Sequence, residues 1–464
     1  MGVVCDDLIA AAKPHGIMWG PKPATHSRCC FGGMLANNCG GMHAQINGIA
    51  VHNVEALEVL LYDGTILNVG WMAEPELEAA NGRGDARGVL FARLRKLRDR
   101  HAERIRAGYP KLGRRVSGYN LDQLLPDADG RFNFARLLVG SEGTLVTMLE
   151  ATLQLIDDPP ERAAVVLGYR DVFAAADAVP TFLPFAPLTL EGMDDVLYHH
   201  IEKKGGLYAE HLALLGDGGG WLEIEIGGTS KEDVHARAEE IVASASGAVS
   251  SRIYLKADDQ KKLWDAREGA LGATAFIPGG PDAWPGWEDS AVPPERLGTY
   301  LRELHALYEP FDYHPALYGH FGMGLVHCRV PFDLYKEHGV RTYERFMSEA
   351  ADLVVSHGGS LSGEHGDGQG RGVLLVKMFG PELMEAMQKL KAIFDPLGKM
   401  NPGKIVDAYP LHDKLKFCRT TTRSSSIHIF VTRTTAAASC ARRRAASESE
   451  SAVGRTAKAI RITT

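Results

Sequence analysis

Cysteine is scarce and scattered. Seven occur in 464 residues, with no Cys-x-x-Cys pair and no run spaced to hold an iron–sulfur cluster. Cys29 and Cys30 are adjacent, a poor geometry for bonding to each other, so the thiols read as reduced and the protein as cytoplasmic. No apolar run approaches the ~20 residues of a membrane span, and Asp6-Asp7 interrupt any signal-peptide pattern, so no transmembrane segment is expected. The start Met1-Gly2-Val3-Val4-Cys5 lacks the Ser/Thr that myristoylation wants at the sixth position. Neither GxxxxGK[ST] nor GxGxxG occurs, which removes the usual support for P-loop and dinucleotide-binding Rossmann readings. Positive charge is short as well. The net charge is −7, yet from Tyr409 onward there are 11 Lys+Arg against 3 Asp+Glu, leaving −15 on residues 1–408. That acidic body has no basic stripe, which argues against nucleic acid as a partner.

What is present is an ordinary globular composition, 45% hydrophobic and 23% charged, on a chain long enough for two or three domains. Cys5 to His15 reads as a short helix ended by Gly16, and Phe31 to Gly41 as a Gly/Asn-dense loop able to offer N–H groups to an anion. Val54–Leu61, Asp63-Gly64 and Thr65–Val69 read as a hairpin. Asp85–Arg106 reads as a charged helix, with Leu90, Leu94 and Leu97 on one face. A strand over Val146–Leu155 closes a first domain, residues 1–156, before Asp157-Asp158-Pro159-Pro160. A second domain, residues 157–407, alternates strand and helix signals. Leu222 to Ile226 alternates with period two, Lys231–Ser246 and Arg341–Ser356 are helical, and Pro381–Phe394 is a helix started by proline. Residues 408–464 form a tail in which Thr, Ser, Ala and Arg come to dominate. It is expected to be disordered, or to be out-of-frame translation, because neither apolar period persists.

Two glycine-rich stretches concentrate the chemistry: Gly319-His-Phe-Gly-Met-Gly-Leu-Val-His327 and Ser362-Gly-Glu-His-Gly-Asp-Gly368. His320, His327 and Glu364 form a nitrogen/oxygen donor set suited to zinc or a similar divalent cation, and His365 could move a proton. The histidines lie seven positions apart, which would point them to opposite faces of a straight strand, so a shared metal requires Gly322 and Gly324 to bend the chain. The alternative is two ordinary histidines. Arg267 could clamp a carboxylate with its two-pronged guanidinium, or could simply pair with an acid on a helix surface.

In combination the segments resemble the flavin-linked D-2-hydroxyacid dehydrogenases, the family that includes D-lactate and D-2-hydroxyglutarate dehydrogenases and the glycolate oxidase flavin subunit. Five stretches carry the likeness: Phe31 to Asn38, Gly140-Ser-Glu-Gly-Thr-Leu145, Gly319 to His327, Gly359 to Gly366, and Asp395-Pro-Leu-Gly-Lys-Met-Asn-Pro-Gly-Lys404. Val116 to Leu124 and Trp287 to Pro293 are similar to the subgroup normally fused to an iron–sulfur domain. The resemblance implies an α+β chain: a partial vanillyl-alcohol-oxidase-type FAD-binding domain, lacking its N-terminal subdomain, then a ferredoxin-like substrate (cap) domain. It implies FAD lined by Gly32, Gly33, Asn37, Gly40 and Gly143, and a divalent metal on His320, His327 and Glu364. It further implies Arg267 on the substrate carboxylate, and His365 as the base that removes the hydroxyl proton while hydride passes to flavin. An unperturbed histidine, with its pKa near ~6.5, suits that role.

The implied reaction is oxidation of a small D-lactate-like 2-hydroxy acid, with the electron acceptor open. Three departures from the family pattern stand out: the missing first glycine loop, Met323 and Leu325 where Asp and Asn are usual, and Trp287 where hydroxyglutarate-type members place a lysine. They leave two rival readings, a catalytically inactive truncated homologue and a metal-binding protein without redox chemistry.

Overall fold

The computed structural model describes residues 1–415, apart from 83, 276–278 and 282, together with residues 459–462. Among the described residues, fourteen strands fall into three antiparallel sheets. The first domain is built on β2 (Val54–Leu60), β3 (Ile66–Ala73), β4 (Arg131–Asn133) and β5 (Thr147–Gln154), and β14 (Ala459–Ile462) adds an outer strand, in the order β14-β5-β2-β3-β4. The hairpin turns where the sequence predicts it: Thr65 N–H donates to Asp63 Oδ1 at 2.9 Å, and Gly64 takes φ 88°. Of the expected tail, residues 416–458 lie outside the described residues. Leu411 is buried, and residues 459–462 pair in register with Ala151–Gln154.

A small sheet joins β1 (Ile17–Met18) to β6 (Ile156–Asp157) at the passage between domains. The second domain is a seven-stranded sheet of β7 (Glu161–Tyr169), β8 (Thr189–Asp194), β9 (Gly220–Gly228), β10 (Ser250–Tyr254), β11 (Asp289–Ala291), β12 (Leu317–Gly319) and β13 (Leu325–Cys328). Its order is β10-β7-β9-β8-β12-β13-β11. The first four strands, with the helices Val172–Phe182 and Lys231–Ser244 between them, make the split β-α-β-β-α-β arrangement of a ferredoxin-like unit. Strands β12, β13 and β11 extend it past β8, and that extension brings the histidine stretch beside the sheet.

Several elements differ from expectation for physical reasons. Phe31–Asn37 is a short helix rather than a loop, because Phe31, Met34 and Leu35 share an apolar face that enters the core, and Asn38 ends it in the left-handed region at φ 63°. The period-two run on β9 suggests one wet face, yet Glu223 and Glu225 are buried along with Leu222, Ile224 and Ile226. Both faces are covered: the aliphatic one by the main core, the other by the cluster containing Trp221, Met193 and Leu263, and at Glu225 by His43 of the first domain. The last long helix, Leu375–Phe394, begins earlier than predicted but breaks at Gly380 (φ 69°), so Pro381 does start its second segment. No helix among the described residues is long and apolar enough to cross a membrane.

Candidate functional site

The turn between β12 and β13 does what the glycines require. Phe321–Met323 forms one 3₁₀ turn closed by Gly324 at φ 69°, where a Cβ would fall 1.8 Å from the Val292 carbonyl. His320 therefore leaves β12 and His327 returns on β13 toward the same point, their rings 5.4 Å apart. Glu364 arrives from a different direction, on the loop after Ser360. Its Oε2 lies 3.2 Å from His320 Nε2 and 3.7 Å from His327 Nε2. Among the described residues, these three form the group whose ligand atoms all lie within 4.8 Å of one another. Each imidazole also has its far nitrogen held: His320 Nδ1 is 2.6 Å from Glu191 Oε1, and His327 Nδ1 is 3.1 Å from the Glu288 carbonyl oxygen. Such outer contacts orient metal-binding rings and fix their tautomers. The donor chemistry and its support fit a divalent cation.

The electrostatics are those of a buried, fully engaged cluster. Burial by itself would raise the Glu191 carboxyl, but the neighbouring His320 and Arg267 outweigh it and bring it down to about 2. Burial likewise acts against ionised Glu364, and Arg114 and His320 hold its carboxyl well below the usual range. Arg114 is wholly buried; its Nη1 donates to Glu364 Oε2 at 3.0 Å, its Nη2 to the Gly41 carbonyl, and its Nε to Met323 Sδ. His365 departs from expectation. Burial disfavours its charged form, yet Asp289 and Glu288 outweigh that and raise its pKa to about 9 rather than leaving it unperturbed. Its Nδ1 sits 2.8 Å from Glu288 Oε1, and its ring stacks on His327 at 5.2 Å and 16°.

Arg267, on the helix Ala257–Ala275, is buried rather than on a helix surface. Its Nη2 donates to Glu191 Oε2 at 2.8 Å, its guanidinium lies 4.7 Å from the centre of the Tyr318 ring, and its Nε has no partner among the described residues. An unpartnered buried donor costs stability unless a ligand satisfies it, and a carboxylate oxygen would.

These groups line a cavity of about 320 Å³ between the domains. One wall is Arg267, Tyr318, His320, His327, Glu364 and His365; the other includes Gly33, Met34, Asn37, Gly41 and His43. Gly33 exposes bare backbone there, with nothing within 4 Å of where a Cβ would stand, and Asn37 Nδ2 donates to the Glu364 carbonyl at 2.7 Å. That open cradle fits a large planar group. The other three expected cofactor contacts do not line the cavity. Gly32 packs on Met1, Gly40 lies against the Arg114 guanidinium, and Gly143 takes φ 68° in the turn Ser141–Thr144.

Two of the departures also look different in three dimensions. Leu325 is buried against Gly363 and Ala291, and Trp287 is fully buried in the second domain and does not line the cavity, so neither reaches a ligand there. Sequence reasoning missed Glu191, Arg114, Glu288 and Asp289. A carboxylate between Leu190 and Met193 was the one available signal for Glu191; Glu288 and Asp289 stood within the Trp287 to Pro293 stretch with no role attached, and nothing local marked Arg114.

Residues 158–405 match the family described as "FAD linked oxidases, C-terminal domain", more than half of the chain. The chain belongs to the FAD linked oxidases. Residues 1–70 match an FAD binding domain, which places the cofactor's family signature on the wall that carries Gly33 and Asn37. Similar proteins include a D-2-hydroxyglutarate dehydrogenase of Haemophilus influenzae, 28% identical over 435 residues, covering 89% of this chain and 42% of the relative. Glycolate oxidase subunit GlcD of Bacillus subtilis is 27% identical, covering 87% and 74%. The "Probable D-lactate dehydrogenase, mitochondrial" of Danio rerio is 29% identical, covering 88% and 70%. The chain thus spans about two fifths of the length of the D-2-hydroxyglutarate dehydrogenases it matches. A 4-ethylphenol oxidase from Gulosibacter chungangensis shares the fold at TM-score 0.57 and 14% identity, over 88% of this chain and 75% of that one. The architecture is that of the vanillyl-alcohol-oxidase FAD-binding fold family.

Proposed function

We propose that this chain, with FAD bound, oxidises a small D-2-hydroxy acid of the D-lactate type to the 2-oxo acid. The observation that carries the reading is the shared cavity, which sets a three-ligand cluster, an arginine with a free donor and a histidine against a backbone-lined wall. The relatives named for D-2-hydroxyglutarate, glycolate and D-lactate support a 2-hydroxy acid as the substrate class.

Arg267 would take the substrate carboxylate through Nε, the donor without a partner, while Glu191 and Tyr318 hold the plane of its guanidinium. Fixing that end orients the carbon bearing the hydroxyl, a contribution worth up to about 7–11 kcal/mol of barrier in the best-aligned cases. His320, His327 and Glu364 would hold a divalent cation, whose charge makes a bound hydroxyl easier to deprotonate at neutral pH. Gly33 and Asn37 would face FAD, which supplies the two-electron acceptor that no side chain provides. His365 would accept the hydroxyl proton at Nε2, since Nδ1 is engaged by Glu288. A cation held by the adjacent ligands would disfavour the charged form of that ring.

The test is an absorption spectrum of the purified protein followed by anaerobic addition of D-lactate. A yellow protein that bleaches supports the reading. A flavin-loaded protein that D-lactate, glycolate and D-2-hydroxyglutarate all leave oxidised would overturn it, as would a colourless protein that still binds a divalent cation.

A further inference from the structure

Glu288 touches the site from behind in two ways. It precedes β11, and the antiparallel register of β11 with β13 sets Asp289 opposite His327. Its backbone carbonyl consequently lies 3.1 Å from His327 Nδ1 and also accepts the Cys328 N–H at 3.2 Å. Its side chain turns the other way, and Oε1 lies 2.8 Å from His365 Nδ1. The two rings so held are the stacked pair. Arg329 Nη2 fixes the second carboxylate oxygen at 3.2 Å, and the Glu288 side chain is only 10% exposed, so the carboxylate has little freedom to swing away.

We infer that Glu288 is a positioning residue, one that aims His365 Nε2 at the reacting hydroxyl and keeps that ring in register with a cation ligand. The inference rests on the functional reading above. The His365 loop has its own anchor in Asp289, whose Oδ2 accepts the N–H groups of Glu364 and His365 at 3.0 and 2.6 Å and the Ser362 hydroxyl at 2.6 Å. Backbone placement is therefore secured without Glu288. What its carboxylate adds is the ring's rotation about χ2, which no other described contact to His365 Nδ1 as short as this one fixes: Asp289 Oδ2 stands 4.0 Å away. A carboxylate acting through an imidazole in this way sets which nitrogen is free for proton transfer.

Three proteins test this: the wild type, Glu288→Ala, and Glu288→Gln, whose side-chain carbonyl can still accept the Nδ1–H. In rapid mixing of FAD-loaded protein with D-lactate, Glu288→Ala is expected to slow flavin reduction at saturation about 10–100-fold. Half-saturation and cation content should stay within about threefold of wild type, and Glu288→Gln should recover most of the rate. A second readout needs no substrate: a downfield imidazole N–H proton resonance, assigned by its loss in His365→Gln, should persist in Glu288→Gln and vanish in Glu288→Ala.

If the resonance behaves so while no 2-hydroxy acid reduces the flavin of the wild type, the functional reading fails, and what stands is that Glu288 holds the His365 ring. The role is overturned if the resonance survives in Glu288→Ala, or if that variant reduces flavin at the wild-type rate. It is equally overturned if rate, half-saturation and cation content all fall together, or if Glu288→Gln falls as far as Glu288→Ala.

Discussion

The two walls of the cavity are made of opposite materials. The first-domain wall is largely small or apolar, with Gly33, Met34 and Gly41 around the amide of Asn37, whereas the second-domain wall is a packed set of ionisable side chains. Bare backbone suits a broad, flat group that must lie close, because any side chain would hold it away. Ionisable groups suit a small substrate whose charge changes during reaction, and they need burial and mutual contacts to stay in place. On the proposed reading, the difference means that recognition of a cofactor and chemistry on a substrate fall to separate walls, each with its own tolerance for substitution.

Mutations can break this division in order of expected effect. The largest should come from the charged wall. His320→Ala removes a proposed cation ligand and should cost both bound cation, measured by elemental analysis, and flavin reduction, about three orders of magnitude in rate. His365→Gln should reduce the rate about 10²–10⁴-fold while leaving cation content near wild type, because His365 is not one of the three ligands. Equal loss of cation in the two variants would collapse the distinction between ligand and base.

One layer back, Glu191→Gln keeps the shape but removes the charge that orients both His320 and Arg267. It should weaken cation binding about 10–100-fold by titration calorimetry, and should raise the substrate concentration needed for half-saturation.

The backbone wall should answer differently. Gly33 lies in a helix at a negative φ with no neighbour near its missing Cβ, so Gly33→Ala should leave the melting temperature unchanged or higher, by up to about 1 kcal/mol of stability. The same methyl points into open space at the cavity and should weaken FAD retention in a fluorescence titration. A mutant that is both less stable and fully able to hold FAD would reverse the assignment of this wall.

An effect on stability alone concerns Glu223, which faces Glu191 across β8 and β9, and whose Oε2 has no partner among the described residues. Burial raises its pKa to about 8, with Arg267 acting to lower it and Glu191 to raise it. A folded-state value above the unfolded one means that the protonated group favours folding at low pH, and this contribution is lost as pH rises from about 4.5 through about 8. Glu223→Gln should therefore flatten the decline in melting temperature between pH 6 and pH 9, by roughly 1–2 kcal/mol at the alkaline end.

The sequence was legible where local signals decide the outcome. Asp63-Gly64 specified its hairpin, Asp85 caps the helix Ala86–Gly108 by accepting the Gly88 N–H, and Gly322 and Gly324 marked the bend that lets two histidines converge. It left open what tertiary burial decides, as at Glu223 and Glu225, which alternate with aliphatic residues on a strand that is covered on both sides. It was silent where a role depends on a partner far along the chain: Arg114 meets Glu364 across 250 residues, and Glu191 meets His320 across 129. Neither spacing nor residue type announces such a meeting.

The mooring of Glu364 carries a consequence of its own. His320 and His327 flank one tight turn and come together as soon as that hairpin forms, but Glu364 sits on a loop stitched to the first domain. The Ser362 N–H donates to Ser117 Oγ, the Val116 N–H to the Ser362 carbonyl, and the Gly118 N–H to Asp367 Oδ2. Asp289 anchors the same loop from the second domain, so the third proposed ligand is held jointly by both halves. The rate at which a chelator strips an ion from the centre would clock how often the two halves breathe apart.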